Sequence, residues 1–266
     1  MHPLRFTKTL LIPVLLAGCC LIWGCGQNTN ASVDPDSGAS PQQDNNDGSV
    51  LIFSKTKGYY HESIPDGIAA IRKLGTDKGF KVDTTKDASK FTAENLKKYK
   101  AIIFLSTTLD VLDDEQQKAM ESYIKGGGGF VGVHAAADTE YDWPWYNKLV
   151  GAYFKSHPNN PNVRKASVHV IDKKHPATES LPEKWERSDE WYNYKDINPD
   201  LKVLAKLDEK SYEGGENGDN HPIIWYHEYD GGRAFYTGGG HTKESFSDPV
   251  FMQHLLGGIE YAMGEE

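Results

Sequence analysis

Three apolar runs of strand length constrain this chain more than any other feature: Val50-Leu51-Ile52-Phe53, Ala101 to Leu105, and Phe130-Val131-Gly132-Val133. A strand that is apolar on both sides has no face to offer water. It must be covered above and below, as in a parallel sheet packed between helices. The segments between the runs carry helical patterns. After the first, Ser63 stands as a cap, Pro65 lies in the first turn and Asp66 completes a box-like start. Ile64, Ile68 and Ile71 then fall on one face. Phe80 to Thr84 reads as a further strand. Asp113, with Gln116 three residues on, opens another helix whose inward face is Ala119, Met120, Tyr123 and Ile124, and glycines 126 to 129 end it. Strands alternating with helices predict βαβ units.

Beyond His134 the pattern turns strand-rich. Ala166 to Ile171, Lys202 to Leu207, Ile223 to Glu228 and Ala234 to Thr237 are predicted strands. A last helix is expected from Pro249 to Ala262, with Phe251, Leu255, Ile259 and Ala262 inward. There is no internal repeat, and residues 49–266 are expected to form one α/β domain, a length that buries a substantial core.

Ahead of it lies an address. Arg5 and Lys8 precede an apolar segment from Leu10 to Leu16, and Ala17-Gly18-Cys19 follows. A positive flank, a short apolar stretch and small residues before a cut form a secretory signal, assigned to residues 1–18. Leu16-Ala17-Gly18-Cys19 is similar to the lipobox of bacterial lipoproteins, where the cysteine thiol carries a diacylglycerol. Cys19 is favoured over Cys25, because the bulky Trp23 precedes the second candidate. An uncleaved membrane helix is the alternative, but the apolar stretch falls short of the ~20 residues a span needs. Gly26 to Gly48 is rich in Asn, Gln, Ser, Asp, Gly and Pro, and residues 19–48 read as a lipidated, disordered tether. The expected location is the cell envelope, with the domain anchored to a membrane by lipid.

Net charge is −9, with no block of Lys and Arg to neutralise a row of phosphates, so nucleic acid is not an expected partner. Cys19, Cys20 and Cys25 are the chain's only cysteines. The domain therefore has no disulfide, no cysteine nucleophile and no thiolate metal site. Glycines 126 to 129 precede a strand and lack the Lys-Ser/Thr of a phosphate loop.

In open parallel sheets ligands bind beyond the carboxyl ends of the strands. Lys55 to His61, Ser106 to Asp110, His134 to Asp138 and Gly238 to Thr242 all follow predicted strands. Five blocks in this order, Tyr60-His61-Glu62-Ser63, Gly127 to His134, Glu190-Trp191-Tyr192, Trp225-Tyr226-His227 and Tyr236 to Thr242, resemble the recurring blocks of the ThuA-like (trehalose-utilisation) family. The resemblance runs from about Val50 to Met263. It implies a flavodoxin-like fold, the three-layer sandwich of class I glutamine amidotransferases, with a mainly parallel sheet. In those enzymes a cysteine sits in a sharp turn after a central strand. Here Gly132-Val133-His134-Ala135-Ala136 takes what looks like that place, so a thioester mechanism lacks its nucleophile.

His134 and His241 are the candidate acid and base, with Glu190 orienting one of them or binding a hydroxyl. A hydrogen-bonded structural role is the alternative for each. Gly239 and Gly240 could line an anionic or hydroxyl-rich ligand through their N–H groups. His61, Tyr60, Trp191 and Tyr192 are candidate substrate contacts, and Trp143 and Trp145 further candidates for stacking on a sugar ring. Asp189 is a second carboxylate. His157, His169, His175, His221 and His254 read as structural or exposed, and His227 as a strand residue. Three histidines with a carboxylate could also hold a divalent metal, although no tight ligand spacing is present. The resemblance implies a small-molecule carbohydrate as partner: a disaccharide, a glycoside or a keto-sugar. Capture of a sugar without turnover, and a structural surface module, are the competing readings.

Overall fold

The computed structural model describes residues 48–265. The signal at 1–18, Cys19 and all but the last residue of the 19–48 tether lie outside them. The chain runs β1 (Ser49–Phe53), α1 (Ile64–Lys78), β2 (Lys81–Thr85), α2 (Ala93–Leu96), β3 (Ala101–Leu105), α3 (Asp114–Lys125) and β4 (Gly129–Val133). It continues through α4 (Pro144–Val150), β5 (Tyr153–Ser156), β6 (Val163–Val170), α5 (Pro176–Glu179), β7 (Lys184–Glu190) and β8 (Asn193–Lys195). β9 (Lys202–Asp208), β10 (Pro222–Tyr229), β11 (Gly232–Thr237) and α6 (Pro249–Met263) complete it.

Nine strands form one sheet in the order β2-β1-β3-β4-β11-β10-β9-β6-β7, and β5 and β8 pair separately. The three apolar runs are β1, β3 and β4, each with a buried interior, and they pair in parallel with β2 and β11 on either side. Beyond β11 every pairing is antiparallel. The sheet is thus mixed, and the expectation of a mainly parallel one holds for its first five strands. The switch is local in origin. Asp230 (φ 49°) and Gly231 (φ 95°) form a two-residue turn that folds β11 back on β10.

Helix starts follow the sequence chemistry with one exception. Asp113 and Gln116 cap α3 reciprocally, and Ala119, Met120, Tyr123 and Ile124 are buried as expected. Ser63 precedes α1 without capping it, because its hydroxyl donates instead to the Gly240 carbonyl 2.9 Å away. A helix start is thereby tied to the loop after β11.

The antiparallel half curls. From β4 to β7 is five strand spacings, about 24 Å in a flat sheet. Glu190 at the end of β7 nevertheless lies 3.3 Å from His134 just after β4. The core follows this curl: Arg187 on β7 stacks on Phe251 of α6 at 4.4 Å, and Trp185 lies against the same helix. Among the described residues no helix is long and apolar enough to cross a membrane.

Candidate functional site

Four separate elements deliver four side chains to one point. His61 comes from the loop after β1, His134 from the residue after β4, Glu190 from the last position of β7, and His241 from the loop after β11. Each offers one ligand atom, and these atoms all lie within 4.8 Å of one another. The three imidazoles meet edge to face, with centroids 4.9 Å (His61–His134), 5.1 Å (His61–His241) and 5.2 Å (His134–His241) apart. His61, His134 and Glu190 are buried, and His241 is partly so.

His134 sits in the left-handed region (φ 48°), as does Ser106 (φ 48°) at the end of β3. That conformation is costly for residues other than glycine and collects at functional sites. It gives the chain a sharp turn and aims the ring across the sheet end. Its Nδ1 donates to the Gly238 carbonyl at 3.1 Å, and the Tyr236 hydroxyl donates to the His134 carbonyl at 2.7 Å. The ring is held at Nδ1 and the backbone at the carbonyl.

Glu190 is the hub. One carboxylate oxygen, Oε2, lies 3.3 Å from His134 Nε2 and 3.1 Å from His241 Nδ1. Neither nitrogen is directed along a hydrogen bond to it, and His61 Nδ1 is likewise buried without a partner. The other oxygen accepts from Asn162 Nδ2 at 2.5 Å, with His157 Nε2 3.7 Å away. Burial works against the Glu190 charge, but His134 and His241 outweigh it and hold the carboxyl well below its ordinary range. Burial likewise opposes charge on His241, and Glu190 overrides it, so its pKa is raised. His61 is pushed down to about 2, by burial first and then by His134 and His241, which fixes it as a neutral ring.

The glycine run has a different occupation from the one expected. Gly240 N and His241 N donate to the Asp189 carboxylate at 2.9 and 3.0 Å. Gly239 packs beside the same carboxylate and Phe251. These amides orient an internal side chain, so the loop positions His241 and leaves them no lone site for a ligand.

The cluster opens into a cleft of about 420 Å³ lined by Tyr59, His61, Asp138, His157, Asn162 and Tyr192, among others. Tyr192 lines the cleft, its ring 4.3 Å from that of His134. Trp191 does not line it: it is buried, with its indole donating to the Arg164 carbonyl at 2.7 Å. The reason is strand-like alternation, which turns neighbouring side chains to opposite sides. Tyr60 points outward beside Lys86, and its neighbour Tyr59 faces the cleft. Trp143 and Trp145 stack on each other, and Trp145 bonds Asp230 at the far end of β11 from the cluster.

His157, Asn162 and Asp138 also line the cleft; of these the sequence pointed only to the loop that ends at Asp138, and the structural or exposed reading of His157 is corrected. Asp138 lies in a strand-end loop, four residues after His134, and its carboxyl is raised by burial while Tyr141 donates to it at 2.5 Å. His157 and Asn162 precede β6 and carry no spacing signal. His221, His227 and His254 are buried and hydrogen-bonded within the core.

A family model described as ThuA, trehalose utilisation, matches residues 49–262. A solved structure of a protein described as ThuA-like from Bacteroides uniformis ATCC 8492 is 28% identical, with a TM-score of 0.70 over 85% of this chain and 95% of that one. Another so described, from Parabacteroides merdae ATCC 43184, is 20% identical, with a TM-score of 0.63 over 81% of this chain and 89% of its own. A β-galactosidase from Bacillus circulans sp. alkalophilus shares the fold over 82% of this chain and 31% of that enzyme, at 13% identity and a TM-score of 0.51. Curated proteins gave no match.

Proposed function

The chain belongs to the ThuA, trehalose-utilisation, family, and from that premise we propose that it processes a small carbohydrate at the His61–His134–Glu190–His241 cluster. The observation that carries this reading is the convergence of four buried or half-buried polar side chains on one point at the floor of a cleft. Apart from Glu190, each follows a strand of the parallel half, where open α/β sheets bind ligands. Concave sites with a few convergent polar groups are the usual form of a small-molecule site.

A substrate with a carbonyl, a keto-sugar derived from a disaccharide or glycoside, suits these groups. A carbonyl acidifies the neighbouring C–H. A base can take that proton, the electron pair moves to the carbonyl oxygen as an enolate, and its return expels the glycosidic oxygen, which leaves with a proton from an acid. His134, His241 and Glu190 form the reacting centre in this reading. Positive charge beside the substrate oxygen stabilises the enolate. Both rings share one oxygen of Glu190, so they act as a unit, and Asp138 and His157 are the groups on the open side for proton transfer. Tyr192 and Tyr59 supply apolar ring contact.

The test is incubation of the purified chain with trehalose, other glucosides and their 3-keto forms. Product is expected from a keto form, with His134→Ala and Glu190→Gln each reducing turnover by about 10²-fold or more. Turnover unchanged in both variants would sink the reading. Saturable binding without product would replace it with sugar capture.

At finer grain we read the fold as the three-layer amidotransferase-like sandwich, with no glutaminase chemistry because residues 49–266 hold no cysteine. We also propose an envelope lipoprotein. Metabolic labelling with a palmitate analogue should be lost in Cys19→Ser and kept in Cys25→Ser, and the reverse result would move the anchor.

A further inference from the structure

Hydrogen bonding leaves the centre of the cluster unaccounted for. A carbonyl can only accept, so the bond from His134 Nδ1 to Gly238 O places the proton of the neutral ring on Nδ1 and the lone pair on Nε2. That lone pair lies 3.3 Å from Glu190 Oε2, which is itself an acceptor. His241 Nδ1 is 3.1 Å from the same oxygen without a directed bond, and His61 Nδ1 also lacks a partner. Buried acceptors facing one another are costly unless something positive stands between them.

We propose that His61, His134, His241 and Glu190 bind a divalent first-row transition-metal ion, zinc or a close neighbour, at the floor of the cleft. The inference rests on the reading of this cluster as the reacting centre and names what supplies positive charge there. Three imidazoles and one carboxylate make an N₃O set that suits such an ion, whereas magnesium and calcium favour oxygen alone. The ligand atoms lie within 4.8 Å of one another, against about 3.4 Å around a tetrahedral zinc with bonds near 2.1 Å. A modest inward rotation of the rings closes that gap.

The surroundings fit the same role. Metal-bound histidines pass their second N–H to a carbonyl or carboxylate, as His134 does to Gly238. Asn162 holds the second oxygen of Glu190, leaving the first to face the histidines. The cleft reaches the cluster at His61 and Glu190, so a substrate oxygen would enter as a fifth ligand, where a Lewis acid polarises a carbonyl.

The full chain, stripped with a chelator, is titrated with Zn²⁺ by calorimetry and with Co²⁺ by visible absorption. One ion per chain is expected, with Co²⁺ giving the bands of low-symmetry nitrogen and oxygen coordination. His61→Ala and Glu190→Gln should each weaken binding at least tenfold while circular dichroism stays that of the parent. His169→Ala, on an exposed side chain, should leave binding within about twofold. Absence of saturable binding by either ion, or binding retained by both cluster variants, overturns the proposal. Binding without sugar turnover upholds the metal and removes the carbohydrate reading. Turnover by the stripped chain in excess chelator upholds the carbohydrate reading and removes the metal.

Discussion

Asp189 never faces the cleft, yet it holds the cleft's loop in place. Fully buried, it accepts from Gly240 N, His241 N and the Ser245 hydroxyl, and pairs with Arg187 at 2.8 Å. Arg187 is itself buried between Trp185 and Phe251. Asp189→Ala would take from that guanidinium its paired carboxylate and leave four donors, the Glu190 amide included, without this acceptor. Removing one member of a buried pair costs about 3–5 kcal/mol, and that loss is expected in urea unfolding. A loss under about 1 kcal/mol would show that the network carries no stability. Sequence favoured Glu190 over its neighbour Asp189 only through the resemblance of the Glu190-Trp191-Tyr192 block, with no physical reason to separate two adjacent carboxylates. Alternation along β7 separates them physically, sending Glu190 to the cleft and Asp189 to the loop beneath it. The histidines were legible for a similar reason, since each follows a parallel strand. His157 and Asn162 were not, because they reach the cluster from the segment between β5 and β6, which follows no parallel strand.

Helix α6 shows how closely the elements are fitted. A methyl at Gly258 would meet the Phe235 ring at 2.2 Å, and one at Gly257 the Pro176 backbone at 2.3 Å. Gly→Ala in a helix interior ordinarily stabilises by about 1 kcal/mol. Here the contact decides the sign, because Phe235 is itself enclosed by His254 and His175 and has nowhere to turn. Gly258→Ala should therefore lose about 1–3 kcal/mol by overpacking, read as a lower urea midpoint at unchanged slope. A gain would mean the helix can lift from the sheet. The elements with the strongest patterns were legible: β1, β3 and β4 as apolar runs, α3 by its capping box, and α6 by its inward face. β7 was not, because Lys184–Glu190 carries Trp185 as its one large apolar residue and sits on the sheet edge. The three-residue β8 and its partner β5 are too short for periodicity. Asp230-Gly231 did carry a hairpin signal, and it marks where the sheet changes direction.

Across the whole molecule, the curled sheet draws its far edge to the site and encloses histidines as it does so. Burial lowers the pKa of His61, His175, His221, His227 and His254, while that of His241, beside Glu190, is raised. His175 and His254 fall to about 4 from 6.5 in the unfolded chain. Above about pH 7 both states of these two rings are neutral and they add no pH dependence. As pH falls from 6.5 towards 4 the unfolded chain takes up protons that the folded core refuses, so stability falls with it. Below about 4 these two rings are protonated in both states and their contribution to the slope ends. His241 acts the other way, its contribution present in acid and fading as pH rises past its raised value, but five lowered groups outweigh one. Thermal scans from pH 8 to 4.5 should therefore show a fall of several degrees in Tm that begins near 6.5, before most carboxylates titrate. His254→Gln keeps the side chain polar and removes one titrating ring. It should start from a lower Tm and lose part of that slope, and a parallel curve would mean that His254 takes a proton in the folded core as readily as it does in water.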